Sequence, residues 1–141
     1  LSHLLRLNQM KNKNYYELFP GVLTKGYSNA ESVYIEDDLF VFLRPAIKNG
    51  YEPFESFNRF EIPKENWVQI ISGFVIIREY LYNHQTTELA EYIQPHFKTQ
   101  TESFLKKYLK NRVLIDEIIN DLITWIEEQL ITNECITLIG L

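Results

Sequence analysis

The chain has 141 residues, 45% of them apolar and 14% aromatic, and a net charge of −5. That composition supports one packed domain and excludes a disordered chain. A single cysteine, Cys135, excludes an internal disulfide, and the longest apolar stretch, "WVQIISGFVII", is interrupted by Gln69, Ser72 and Gly73 and falls short of the ~18 residues of a membrane span.

Cysteine usage points to a reducing compartment, so the expected location is cytoplasmic. The acidic total argues against nucleic acid as the partner, and no membrane partner is expected. "LSHLLRL" is too short and polar for a signal-peptide core, and Met10 is the single methionine. Translation is expected to start at Met10, which makes residues 1–9 an extension and 10–141 a single globular domain. His3 and Arg6 then stand outside the functional argument.

In chain order, "NYYELFPG" reads as one helical turn closed by Pro20–Gly21, with a brief strand at Val22–Thr24. "SVYIEDDLFVFLRPAIKNG" has two readings. As a hairpin, Val33–Glu36 and Leu39–Leu43 are strands about an Asp37–Asp38 turn. As a helix, an acid at 37 or 38 caps it, Leu39, Leu43, Ala46 and Ile47 share a face, and Gly50 stops it. Pro45 opposes both an unbroken helix and a central strand. The spacing favours a short or kinked helix after a Val33–Ile35 strand.

Pro53 and Pro63 bracket a loop and a short Asn58–Ile62 strand, and Pro63 suits a helix's first turn. From Trp67 the apolar positions 67, 70, 71, 74, 77 and 81 make a helical face that ends near "YNHQ". A short helix in "TTELAEYIQP", another in "TESFLKKYLKNR" and a long one in "VLIDEIINDLITWIEEQLI" follow. The β-branched tail "CITLIGL" reads as a strand that joins the pieces near 33 and 60. The expected fold is mainly α (α+β): a helical single domain with a small sheet of two or three short strands.

Charge is unevenly placed: residues 1–30 sum to +3, 31–66 to −4, 67–97 to −2, 98–112 to +4 and 113–141 to −6. The last segment has no Lys or Arg. In its helix Ile115, Ile118, Ile119, Leu122, Ile126 and Leu130 form the buried arc, while Asp116, Glu117, Asp121, Glu127 and Glu128 populate the other side. Glu117 and Asp121 are a like-charge i, i+4 pair, costing about 0.2–0.5 kcal/mol. Glu127 and Glu128 oppose the dipole at the helix C-terminus. A solvated face explains such a run; the sharper reading is an acidic face offered to a basic protein.

Glu36, Asp37 and Asp38 are the second acidic group. Consecutive helical residues diverge by about 100°, so three in a row do not converge on one ion or one proton. Their main reading is a helix start, with a partner-facing edge as the second. Lys106, Lys107, Lys110 and Arg112 in "KKYLKNR" suit the C-terminal end of a helix by dipole alone.

The remaining chemistry-bearing residues form no motif. His84 and His96 lack metal-ligand spacing. Cys135 sits in an apolar strand, the setting of an inert thiol. The glycines form no phosphate loop, and there is no G-x-S-x-G. No metal, cofactor or catalytic residue is nominated, and the chain is expected not to be an enzyme. Trp67 and Trp125 fall in phase with packing. Tyr51, Phe54, Phe57 and Phe60 form an aromatic loop that reads as a cover for the core or as an interface anchor.

The pairing of "IEDDLFVFLRPAIKNG" with "FESFNRFEIPKENWVQII" resembles the arrangement in small bacterial proteins, some of them immunity proteins of contact-dependent growth inhibition and related toxin systems. The likeness covers about residues 35–72. It rests on a Phe-rich loop, a Glu–Ile–Pro step and the tryptophan helix that follows. It implies a function class, a cytoplasmic protein that blocks one cognate toxin by direct association, and carries over no binding residues. Many such toxins are basic nucleases, which suits an acidic helix. The competing classes are a subunit that self-associates through Tyr51, Phe54 and Phe57, and an enzyme of unrecognised type.

Overall fold

The computed structural model describes residues 3–23 and 29–140. Four strands, β1 (Tyr15–Pro20), β2 (Val33–Glu36), β3 (Arg59–Pro63) and β4 (Cys135–Gly140), form one antiparallel sheet in the order β2-β1-β4-β3. The helices are α1 (Asp37–Phe40), α2 (Arg44–Gly50), α3 (Lys64–Tyr82), α4 (Thr86–Ile93), α5 (Thr101–Lys110) and α6 (Arg112–Gln129), with 3-10 turns at Leu7–Gln9 and Val41–Leu43.

Register decides the two faces of the sheet. Leu18 lies opposite Val33 and Leu138, Tyr16 opposite Ile35, and Ile62 opposite Ile136. All of these join the core beneath the helices, together with Trp67, Ile70, Phe74 and Ile77 of α3 and Ile115, Ile118, Leu122 and Ile126 of α6. Gly73 lets α2 approach α3, because a Cβ there would meet the Ala46 Cβ at 2.8 Å.

The opposite face is also covered. Tyr15, Glu17, Phe19, Tyr34, Thr137 and Ile139 are buried on it. Ser32 Oγ donates to Glu17 Oε2 at 2.5 Å, Thr137 Oγ1 donates to the Gly21 carbonyl, and the Tyr34 hydroxyl donates to the Asn29 carbonyl. Burial of polar groups on this face is matched by hydrogen bonds, as its cost requires.

The expectation of a mainly helical domain with two or three strands is corrected: the chain is α+β with a four-stranded sheet. The strand that makes the difference is β1, read from sequence as a helical turn. It lies between β2 and β4 and is buried on both faces, so the two-residue alternation of a half-exposed strand is erased. Its Pro20 stands at the strand's last position, where a missing donor is tolerated. Val22 and Leu23 lie outside any strand, and Thr24 of that expected strand lies outside the described residues.

Other expectations are met in part. Val33–Glu36 is a strand, and the following helix is broken into α1, a 3-10 turn and α2, with Pro45 tolerated near the N-terminus of α2. Pro63 closes β3 and is the N-cap of α3. The tail strand β4 does not touch β2; it pairs with β1 and β3.

Candidate functional site

α6 packs its apolar arc inward and turns its acids out. Glu117, Glu127 and Glu128 are exposed, while Asp116 and Asp121 are half-buried at the two edges of the outer face. Helical phase divides the five acids around Asn120 and Thr124. Asp116 and Glu127 lie towards α3, and Glu117, Asp121 and Glu128 lie towards the N-terminal segment. The structure thus places all five on one side of one helix, in two rows.

Among the described residues no Lys or Arg lies within ion-pair distance of these carboxylates. Lys106, Lys107, Lys110 and Arg112 do not fold across them. Lys107 stands 4.9 Å from the Phe104 ring, and Arg112 shares a cavity wall with Asp116. Asp116 Oδ2 accepts from Asn120 Nδ2 at 3.3 Å, and Arg78 donates to Asn120 Oδ1.

The N-terminal segment, set aside in the sequence reading, borders the site. Leu5 pairs with Tyr34, through N–H to carbonyl bonds of 2.9 and 2.8 Å in the two directions. This brings His3 to α6: its backbone N–H donates to Asp121 Oδ2 at 3.4 Å, and its Nε2 lies 3.4 Å from Glu117 Oε1. Arg6 Nη1 donates to the Glu31 and Ser32 carbonyls at 3.3 and 3.5 Å, and Arg6 lines a cavity of about 290 Å³ together with Asp121 and Glu128. Nothing in the sequence signals this docking, because it depends on the edge of β2.

Exposed apolar side chains lie beside the α3-facing row. Val68 (53% exposed) and Ile131 (79%) line a cavity of about 340 Å³ with Glu127 and Lys64. Tyr82 (82%) and Val113 (68%) line another, of about 290 Å³, with His84, Arg78 and Asp116. Asp116 is the single carboxylate there.

The second acidic group is occupied within the chain. Lys13 Nζ meets Glu36 Oε1 at 3.2 Å and Arg44 Nη2 meets Asp37 Oδ1 at 3.2 Å, leaving Asp38 exposed. Glu36 is the N-cap residue of α1 but makes no side-chain cap bond; Asp37 and Asp38 stand in the first turn, where acids suit the dipole. An acid at 37 or 38 therefore does not act as the cap. The aromatic loop mostly faces inward. Phe54 is buried, Tyr51 and Phe54 pack against Phe60 at 5.9 and 6.0 Å, and Phe57 alone of the three is exposed.

Cys135 is half-buried, and burial first and Glu61 second raise its pKa, which disfavours the thiolate. His96 is lowered, by burial first and Lys48 second. Among the described residues no group of three or more His, Cys, Asp or Glu could hold a metal ion, and no helix is long and apolar enough to cross a membrane. Comparison with known protein families, curated proteins and solved structures found no match.

Proposed function

We propose that this chain is a cytoplasmic protein-binding module of the immunity or antitoxin kind, which neutralises a cognate basic toxin domain by direct association through the outer face of α6. The carrying observation is five carboxylates on one helix flank without a Lys or Arg ion-pair partner among the described residues. Such a field steers a cationic partner and sets its orientation on encounter. The exposed Val68, Tyr82, Val113 and Ile131 beside it supply apolar area that a partner would bury. Glu36, Asp37 and Asp38 are the weaker part of the surface, since Lys13 and Arg44 already hold two of them.

The test pairs the chain with the protein encoded beside its gene. Growth protection and association rate are measured for the native chain and for the Asp121→Lys, Glu128→Lys double variant. The expected result is lost protection and association slowed about tenfold at low salt, with the difference shrinking as salt screens the field. An unchanged rate with an unchanged salt dependence overturns the assignment of this face.

A further inference from the structure

The sheet has two edges, and the chain itself occupies one of them. On the outer side of β2 the backbone of Leu5 pairs with Tyr34. The outer side of β3 carries no such pairing among the described residues. Gly140 N–H donates to the Asn58 carbonyl at 3.0 Å and Lys64 N–H to the Glu134 carbonyl at 2.9 Å, so the even-numbered residues of β3 direct their backbone groups to β4. Arg59, Glu61 and Pro63 direct theirs outward. An open row of this kind is a template for another strand. Arg59 and Glu61 are exposed, share one face by strand alternation, and enter no ion pair among the described residues.

Charges on an edge strand commonly keep other strands away. Here their order selects a partner. When two copies of β3 meet antiparallel with Arg59 opposite Arg59, or Glu61 opposite Glu61, like charges face each other. With Pro63 opposite Glu61, the proline has no N–H to give. With Arg59 opposite Glu61, two-fold symmetry repeats the contact as Glu61 opposite Arg59. Both ion pairs then form, each pair of residues exchanges its N–H to carbonyl bonds, and Pro63 lies beyond the ladder. Between them Phe60, half-buried against Tyr51 and Phe54, stands opposite its own copy in the position where cross-strand side chains approach most closely.

We propose that β3 is a self-association edge at which a second copy of this chain adds its own β3 antiparallel, with Arg59 opposite Glu61, joining two four-stranded sheets into one. The proposal stands without the reading of α6. Arg59 N–H donates to Asn58 Oδ1 at 3.3 Å, a long bond that the incoming carbonyl replaces. The ladder is short, so the dimer forms and dissociates with concentration.

The experiment sediments the intact chain from micromolar to millimolar concentration. A monomer–dimer equilibrium is expected, weakened about tenfold in Arg59→Glu and in Glu61→Arg, since each places like charges opposite one another at both contacts. An equal mixture of the two variants restores opposite charges at both contacts, and is expected to recover the native dimer, as is the double variant Arg59→Glu, Glu61→Arg. Recovery in the mixture also shows that both single variants are folded. Exchange of the Glu61 amide is expected to slow as the dimer forms. A strict monomer throughout the range overturns the proposal. So does a dimer of native strength in both single variants, a mixture that fails to recover, or a dimer whose Glu61 amide exchanges as fast as in the monomer.

Discussion

Tyr108 shows how one buried polar atom ties the helices to the segment after β2. Its ring packs edge-on against Phe42 at 4.8 Å, and its hydroxyl donates to the Phe42 carbonyl at 2.7 Å from a fully buried position. Burial first and Tyr92 second hold its pKa far above the ordinary value of 10.0. Above about pH 10 the unfolded chain releases a phenol proton that the folded chain keeps, so this contribution is complete below that pH and is lost as pH rises. Tyr108→Phe should cost about 1–2 kcal/mol at neutral pH, by leaving the carbonyl unpaired. It should also flatten the alkaline loss without abolishing it, since Tyr92 is raised too. Urea unfolding from neutral pH to about pH 11 reads both, and an alkaline limb as steep as the native one would contradict the account. The helical phase of "FLKKYLK" announces that Tyr108 faces inward; its partner, 66 residues earlier, is invisible in sequence.

At the scale of elements, α6 is built against its own stability. Glu117 and Asp121 repel one turn apart, and Glu128 stands at the negative end of the helix dipole. Asp121→Lys with Glu128→Lys converts both into favourable arrangements at the loss of the long His3 N–H bond to Asp121, and the isolated chain should gain about 0.5–1 kcal/mol. A higher urea midpoint in the same variant that loses partner binding would mark the acids as kept for recognition. A lower midpoint would mean that the chain's own groups hold them. This helix was fully legible in the sequence, phase and charge alike, because its pattern is local. The reading of β1 failed for the opposite reason: a strand with neighbours on both sides and cover on both faces leaves no period to detect.

At the scale of the molecule, the sheet joins distant parts of the chain. β1 pairs with β4 over Tyr16↔Gly140 to Pro20↔Ile136, so residues more than a hundred positions apart form the sheet's central ladder. The ladder exists only when the whole intervening chain is in place, so breaking it amounts to opening the entire domain. Hydrogen exchange should therefore be slowest at the amides of Leu18 and Leu138, approaching the rate of global unfolding. Faster exchange there than in α6 would show that the helices form a stable unit without the sheet. The same long closure fixes the site. With β1 central, β2 becomes an edge, Leu5 pairs with that edge, and the N-terminal segment is brought to Asp121 and Glu117.

By itself the sequence determined the helices, their apolar arcs, three of the four strands and the acidic flank of α6, since each is written in spacings of a few residues. Only the tertiary structure decided that β1 is an inner strand of the sheet, that Lys13 and Arg44 engage Glu36 and Asp37, and that His3 meets Asp121 and Glu117. Those outcomes depend on which distant surfaces meet, and the free energy that selects them belongs to the packed chain and to no local stretch of it.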